Sequence, residues 1–199
     1  MAQIDYYLST ISPNVYLAGM RPAEVAAKHN ASIRYIPLDI MGLFSRTGGI
    51  PPGQRHVSRQ EYRLLEMERA GKLAKLPINL KPAHWPTNPA PASYAIIAAQ
   101  EAGSGDIGAL VFGLTRACWA EERDIADNDV IKSCMEAAGC DPSLVDSGML
   151  SGAVAYEQNL EDAVSAGVFG APFFITDGGA RFWGQDRIEQ LDMHLGGQL

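Results

Sequence analysis

The sequence of 199 residues predicts an α/β protein in which two sheet-forming ends enclose a large all-helical insertion. Three observations support this fold class: an N-terminal strand that leads into a helix start, a C-terminal strand–turn–strand–helix pattern, and a middle of helical periodicity broken by proline-rich loops. The element order is therefore β-α-β, a long insertion, and β-β-α. We predict a discontinuous sheet domain over residues 1–40 and 167–199 and a helical insertion domain over residues 41–166.

The N-terminal pattern predicts a strand followed directly by a helix. Alternating bulky residues from Ile4 to Leu8 favour a strand, Ser12 is a good N-cap, and Pro13 suits the first helical position. A helix start stabilises a bound anion and lowers the pKa of a nearby thiol. Ser12 is thus either a structural cap or part of such a site. No side chain of this turn supplies a thiol, so thiolate chemistry here would need a cofactor.

The C-terminal pattern predicts a β-hairpin and a last helix. Residues 173–176 resemble a strand, residues 177–179 form an Asp-Gly-Gly turn, and residues 180–183 form the second strand of the hairpin. Gln185 and Asp186 then begin a helix that runs to Leu195. Pro172 stands at the first strand position, where a missing N–H matters least. Its peptide bond is either the ordinary trans form or a cis form that leaves the Ala171 backbone free to pair with an extended ligand.

The middle of the chain predicts helices separated by loops. A glycine- and proline-rich loop at 47–53 precedes a first helix, and a loop with three prolines at 76–86 bars regular helix. The expected helices cover residues 58–71, 91–102, 105–123, 127–138 (opened by Asp127 as a cap) and 151–166.

Composition excludes several classes of function. The net charge of −7 argues against general nucleic-acid binding, and no apolar run is long enough for a membrane span. The start of the sequence has no signal-peptide pattern, and the three cysteines include no Cys-x-x-Cys pair. We therefore expect a cytoplasmic protein without disulfide chemistry, and the four histidines show no spacing typical of a metal site.

A basic segment begins the predicted insertion. Residues 41–85 hold eight Lys/Arg against three Glu, and Arg46, Arg55, Arg59 and Arg63 lie close together in sequence. These arginines are either solvated helix faces, or one or two of them face a cleft and hold an anionic substrate or a cofactor carboxylate.

The two ends of the chain resemble a known group of proteins. Residues 12–18 (Ser-Pro-Asn-Val-Tyr-Leu-Ala), 168–172 (Val-Phe-Gly-Ala-Pro) and 183–187 (Trp-Gly-Gln-Asp-Arg) are similar to the thioredoxin-like fold with a helical insertion. That group contains DsbA-type oxidoreductases, kappa-class glutathione transferases and 2-hydroxychromene-2-carboxylate isomerases. The segments look most like the isomerases and their kappa-class relatives, over essentially the whole chain.

The resemblance implies a glutathione site. It places Ser12 against the glutathione sulfur as the catalytic residue, and Ala171 and a cis Pro172 beside the cysteinyl backbone. It places Gln185 and Asp186 at the γ-glutamyl end of glutathione. These roles suit the residues, since a carboxylate can meet an ammonium group and a hydroxyl can donate to a thiolate.

Three further positions bear on the cofactor and the substrate. Arg59 falls where the family usually has a lysine that contacts the glycyl carboxylate. Gly49 replaces the family's usual asparagine, which removes a polar contact, and Asn14 stands where an aromatic residue is common.

The resemblance implies a glutathione-dependent cis–trans isomerase in aromatic degradation. Its substrate is expected to be a small anionic aromatic or enone, of which 2-hydroxychromene-2-carboxylate is the type, and a homodimer is possible. The aromatic side chains available to surround a flat ring are Tyr6, Trp85, Phe174, Phe182 and Trp183. Two alternatives stay open: a kappa-like transferase or peroxidase that consumes glutathione, and a non-catalytic protein that binds glutathione or another small molecule. A disulfide oxidoreductase is disfavoured, because Ser12 has no neighbouring cysteine.

Overall fold

The computed structural model describes residues 2–199 and contains a four-stranded mixed sheet. The strands are β1 (Gln3–Leu8), β2 (Ser32–Pro37), β3 (Phe173–Thr176) and β4 (Arg181–Trp183), in the spatial order β2-β1-β3-β4. β1 runs parallel to β2 and antiparallel to β3, and β3 pairs antiparallel with β4. The predicted α/β class and the β-α-β … β-β-α order are confirmed.

Ten α-helices surround this sheet in the described part of the chain. They are α1 (Pro13–Ala18), α2 (Arg21–Lys28), α3 (Ile40–Thr47), α4 (Val57–Ala74), α5 (Ala90–Glu101), α6 (Ile107–Ala120), α7 (Asn128–Ala137), α8 (Leu144–Ser147), α9 (Met149–Ser165) and α10 (Ile188–Leu195). Short 3-10 turns occupy Pro52–Gln54 and Gln185–Arg187. None of the described helices is long and apolar enough to cross a membrane.

The five helices expected in the insertion correspond to α4, α5, α6, α7 and α9, mostly within two or three residues of the predicted ends. Asp127 caps α7, as predicted, by accepting a hydrogen bond from the Asp129 N–H at 2.8 Å. Helix α6 ends at Ala120, before the predicted residue 123, and Glu122 adopts a left-handed backbone conformation with φ of 55°. Helix α3 was not predicted.

The last helix differs from its prediction at its start. Gln185 and Asp186 lie in the 3-10 turn Gln185–Arg187, and the regular helix α10 begins only at Ile188. Gly184 precedes the turn with φ of 108°, and a Cβ added there would collide with the Asp186 carboxylate. A glycine is therefore required for the chain to turn from β4 into this segment.

The insertion helices pack directly against the sheet. The side-chain amide of Gln100 on α5 pairs with the backbone of Tyr35 on the edge strand β2, accepting from its N–H at 2.8 Å and donating to its carbonyl at 3.0 Å. The buried apolar residues of both parts form one continuous core that includes Leu8, Leu17 and Trp119. This packing holds the α1 start and the loops of the insertion against each other.

Candidate functional site

Ser12 lies in the connection between β1 and α1, at the N-cap position of α1, and its backbone is extended. Its side chain does not cap the helix: the Ser12 hydroxyl donates instead to the carbonyl oxygen of Ala171, at 3.2 Å and 159 residues away in sequence. Ser12 is therefore the N-cap residue of α1, as predicted, but its side chain makes no capping hydrogen bond, because the hydroxyl is directed to the Ala171 carbonyl. This bond brings the two ends of the sequence together.

The Ala171–Pro172 peptide bond is cis, as the resemblance implies. Among the hydrogen bonds of residues 2–199, the Ala171 N–H has no partner, whereas its carbonyl accepts from Ser12. The Pro172 carbonyl accepts from the Gly184 N–H at 3.0 Å. The cis-proline segment is thus joined on one side to the α1 start and on the other to the turn that carries Gln185.

Gln185 is oriented by Arg21, a half-buried residue that the sequence analysis did not single out. Arg21 Nη2 donates to Gln185 Oε1 at 2.7 Å and to the Leu17 carbonyl at 2.9 Å. Burial lowers the pKa of Arg21, and the nearby Glu189 carboxylate opposes that change. Since Gln185 Oε1 is occupied, its amide NH₂ is left to donate to a ligand. Asp186 is exposed and pairs with Arg187 at 2.6 Å.

Two adjoining cavities form a groove along these residues. An inner cavity of about 170 Å³ and an outer cavity of about 370 Å³ share the lining residues Pro13, Asn14, Arg55, Arg63 and Trp183. The inner cavity adds Ser12, Ala171, Ile40, Met41, Phe44 and Trp85, and the outer cavity adds Glu66, Gln185, Asp186 and Arg187. Ser12, Ala171, Gln185 and Asp186 therefore line one groove, whereas the predicted Pro172 is in neither lining.

Some arginines of the basic segment line the groove, and others lie on the surface outside it. Arg55 and Arg63 line both cavities, whereas Arg59 lines an adjoining surface depression together with those two residues and Tyr62. Arg46 faces elsewhere and forms an ion pair with Glu161. Desolvation lowers the pKa values of Arg55 and Arg63, and in each case a neighbouring arginine lowers it further. Both side chains nevertheless stay charged, because guanidinium groups do not lose their proton in proteins.

Trp85, in the proline-rich loop, lines the inner cavity. Its indole N–H donates to the Ile11 carbonyl at 3.2 Å, its ring packs against Trp119 with 5.6 Å between centroids, and the Arg63 guanidinium carbon lies 5.5 Å from its ring centroid. Trp183 also lines the groove, whereas Tyr6 and Phe174 are buried core residues that pack against each other. Of the five aromatic candidates, the structure brings Trp85 and Trp183 to the groove.

Of the two positions at which the chain differs from the family's usual residues, Asn14 lines the groove directly, whereas Gly49 packs against a residue that lines it. Asn14 is exposed and lines both cavities. Gly49 packs against Phe44 so closely that an added Cβ would collide with the Phe44 ring. A side chain at position 49 is therefore incompatible with the present position of Phe44, which itself lines the inner cavity.

The family model of the DSBA-like thioredoxin domain matches residues 3–196 of this chain. The chain belongs to this family. The resemblance drawn from the terminal motifs is thereby confirmed for the fold.

Curated relatives match nearly the whole chain. A protein of Sphingobium xenophagum named 2-hydroxychromene-2-carboxylate isomerase is 27% identical over 195 residues, covering 96% of this chain and 97% of the relative. A protein of the same name from Pseudomonas sp. (strain C18) is 26% identical over 98% of this chain and 90% of its own length. A solved structure of 2-hydroxychromene-2-carboxylate isomerase superposes with a TM-score of 0.78 at 23% identity, covering 98% of this chain and 95% of that one.

In this DSBA-like chain the cysteines are placed away from the groove. Cys118, Cys134 and Cys140 are free, buried and absent from the linings of both cavities. Burial raises the pKa of all three thiols, that of Cys118 to about 12. A thiolate nucleophile is the reactive form of cysteine, so none of these residues is prepared for disulfide exchange.

Several residues of the site were missed by the sequence analysis, among them one arginine and the groove-lining residues of α3. Arg21 orients Gln185, and Met41 and Phe44 line the inner cavity from α3. A signal for α3 was present, since Asp39 precedes the apolar pattern and accepts a hydrogen bond from the Met41 N–H at 2.9 Å, as an N-cap does. No local pattern distinguishes Arg21 from an ordinary residue of the first helical turn.

Proposed function

We propose that this protein is a glutathione-dependent cis–trans isomerase of a small conjugated acid of the 2-hydroxychromene-2-carboxylate type. The observation that carries the proposal is the hydrogen bond between Ser12 and the Ala171 carbonyl, beside a cis proline and without a cysteine. This arrangement offers a place for a thiol that arrives with a cofactor. The names of the curated relatives support the reaction class.

The backbone and side chains along the groove suit the parts of glutathione. The unpartnered Ala171 N–H and its carbonyl form the pair of groups to which an extended peptide binds. At the other end of the groove, the free amide of Gln185 suits the α-carboxylate of the γ-glutamyl residue, and the Asp186 carboxylate suits its ammonium group. Arg59, beside the groove, remains the candidate for the glycyl carboxylate.

The bond between Ser12 and Ala171 implies an exchange of partners on binding. A hydroxyl has one proton to donate, and that of Ser12 is directed to the Ala171 carbonyl. A peptide ligand that pairs with Ala171 brings its own N–H to this carbonyl. The Ser12 proton is then free to be donated to the sulfur, which lies next to the peptide backbone.

Bound glutathione would supply a thiolate that adds to a conjugated carbon of the substrate and later leaves again. While the thiolate is attached, the former double bond of the substrate is a single bond and can rotate. The Ser12 hydroxyl would hold the negative charge of the sulfur near the α1 start. Arg55 and Arg63 would stabilise the negative charge that develops on the substrate oxygen atoms, since both guanidinium groups are already fixed in a partly desolvated place. The walls formed by Phe44 and Trp85 would limit the access of water.

Calorimetric titration of the purified protein with reduced glutathione tests the cofactor. We expect a dissociation constant in the micromolar to millimolar range. No detectable binding would contradict the proposal. Gly49, whose place is crowded by Phe44, would then explain the loss of a cofactor site.

Product analysis separates the catalytic alternatives. The protein is incubated with 2-hydroxychromene-2-carboxylate and a known amount of reduced glutathione, and both are quantified after turnover. An isomerase returns all of the glutathione in its reduced form. Stoichiometric loss to a conjugate would instead indicate a transferase, and oxidation by an added peroxide would indicate a peroxidase. Binding of glutathione without turnover would indicate a binding protein.

A further inference from the structure

We infer that Arg63, with Arg55 beside it and Trp85 beneath it, is the subsite for the carboxylate of the substrate. This assignment rests on the proposed function for the identity of the reaction. It adds that the protein selects flat conjugated acids over neutral enones of the same shape. Arg55 and Arg63 line both cavities and so form the border between them, and Trp85 lines the inner cavity.

Arg63 is placed as a ligand-binding side chain and not as part of an ion pair. It is half-buried on α4, and its guanidinium carbon lies 5.5 Å from the centroid of the Trp85 ring. Within residues 2–199, neither Arg63 nor Arg55 has a carboxylate within ion-pair distance. On the same helix, by contrast, Arg69 pairs with Glu66 at 2.6 Å.

Two unpaired guanidinium groups at one border are unfavourable without an anion. Each is partly desolvated, and Arg55 adds a like-charge repulsion to Arg63. A bound carboxylate would relieve both effects, because it accepts two hydrogen bonds from the planar fork of an arginine. Stacking on Trp85 keeps that fork in place through a cation–π contact.

The position of Arg63 favours the substrate over the cofactor as the source of this carboxylate. The inner cavity joins Arg63 to Ser12 through a wall of Met41, Phe44 and Trp85, which suits a planar apolar ring next to the sulfur position. The outer cavity ends at Gln185 and Asp186, to which the proposed function assigns the γ-glutamyl end of glutathione, so the α-carboxylate of the cofactor has its own partner there. A ring in the inner cavity can thus present its acid group to Arg63.

Calorimetric titration with a matched pair of probes tests this assignment without turnover. The probes are trans-cinnamate and its neutral analogue cinnamamide, titrated with and without reduced glutathione. We expect wild-type protein to bind cinnamate about tenfold more tightly than cinnamamide. Arg63→Gln should abolish this difference while changing the dissociation constant of glutathione less than twofold. Arg46→Gln removes the same charge outside the groove and should leave both probes unaffected.

The results distinguish failure of the carboxylate subsite at Arg63 from failure of the proposed glutathione dependence. Equal binding of the two probes by wild type, or an unchanged preference in Arg63→Gln, would overturn the carboxylate subsite and leave glutathione dependence standing. A preference for cinnamate that is lost in Arg63→Gln, in a protein that binds no glutathione, would support the subsite and overturn the proposed function. Arg63→Lys keeps the charge without the fork, and should retain part of the preference even if Arg63→Gln folds poorly.

Discussion

The two walls of the groove are built in different ways. The sheet-side wall is held together by hydrogen bonds that involve the backbone or the half-buried Arg21. It is formed by Ser12, Ala171, Gly184 and Gln185. The insertion-side wall, formed by α3, α4 and the loop of Trp85, presents aromatic faces and guanidinium groups without carboxylate partners. The first wall offers fixed polar positions, and the second offers shape and charge that can be altered without disturbing the sheet.

This difference assigns the walls to different tasks. Hydrogen-bonded backbone groups suit a constant ligand such as a peptide cofactor, because their geometry does not depend on side-chain identity. Apolar and charged side chains on helices and loops suit a variable ligand. We therefore expect substitutions on the sheet-side wall to change turnover and the affinity for glutathione, and substitutions on the insertion-side wall to change the Michaelis constant for the substrate.

The largest effect is expected for Ser12→Ala. Loss of a hydrogen bond to a charged sulfur costs about 1.5–3 kcal/mol, which lowers kcat by about 10- to 100-fold. The measurement is steady-state turnover at saturating glutathione. Ser147→Ala is a matched control, because Ser147 also donates its hydroxyl to a backbone carbonyl, at 3.1 Å, but on α8 and outside both cavity linings. Unchanged turnover in Ser12→Ala would remove the hydroxyl from the mechanism.

A smaller effect, confined to the substrate, is expected for Trp85→Leu. This change removes the aromatic face under Arg63 and part of the inner cavity wall, so the Michaelis constant for the substrate should rise about tenfold. The dissociation constant of glutathione should stay within twofold of the wild-type value.

Trp85→Phe serves as the control for that change. It keeps a ring and loses the hydrogen bond to the Ile11 carbonyl, and should cost about 1 kcal/mol of stability with little change in the Michaelis constant. Weakened glutathione binding in both variants would contradict the division of tasks between the two walls.

The sequence predicts the sheet-side wall better than the insertion-side wall, and the reason is physical. Strand alternation, the Ser-Pro helix start and the Asp-Gly-Gly turn are local patterns, so they identify β1, α1 and the hairpin without tertiary information. The partner of the Ser12 hydroxyl was beyond such patterns, because the Ala171 carbonyl lies 159 residues away in sequence.

Which side chains form the insertion-side wall depends on how each helix is rotated about its own axis. Periodicity predicts that α4 exists, but its exposed and half-buried arginines all have the same chemistry, so the sequence leaves open which of them faces the groove. The structure directs Arg63 of α4 into the groove, whereas Arg46, which lies on α3, pairs with Glu161. The resemblance pointed to Arg59, which lines the neighbouring depression. Packing against Trp85 distinguishes Arg63 from Arg59 and Arg69, the other arginines of α4.

A moderate effect on the cofactor is expected for Asp186→Ala. The carboxylate is exposed, so its contact with an ammonium group is screened by solvent, and the dissociation constant of glutathione should rise about fivefold. The Michaelis constant for the substrate should not change. Calorimetry measures the first quantity, and Asp186→Asn, which keeps the shape without the charge, should give an intermediate value. An unaltered dissociation constant would show that the turn before α10 does not hold the γ-glutamyl end.

The smallest effect is expected for Asp124→Asn and appears as a change in pH dependence. Asp124 accepts a hydrogen bond from Thr87 Oγ1 at 2.5 Å and another from the Ala126 N–H at 3.0 Å, and these bonds lower its pKa. A lowered pKa in the folded protein means that the carboxylate stabilises the fold above its ordinary pKa of about 3.9, and that this contribution is lost as the pH falls through the lowered value.

The urea midpoints of wild type and Asp124→Asn should therefore differ most above the ordinary pKa of an aspartate and converge as the pH falls through the lowered pKa of Asp124. Because Thr87 belongs to the loop that carries Trp85, the variant should also raise the Michaelis constant for the substrate by about twofold or less, a change of under about 0.5 kcal/mol. The dissociation constant of glutathione should stay the same. A midpoint difference that is independent of pH would show that the charge of Asp124 does not anchor this loop. A change in glutathione affinity would show that the insertion-side wall also supports the cofactor, and the two walls would then act as one site.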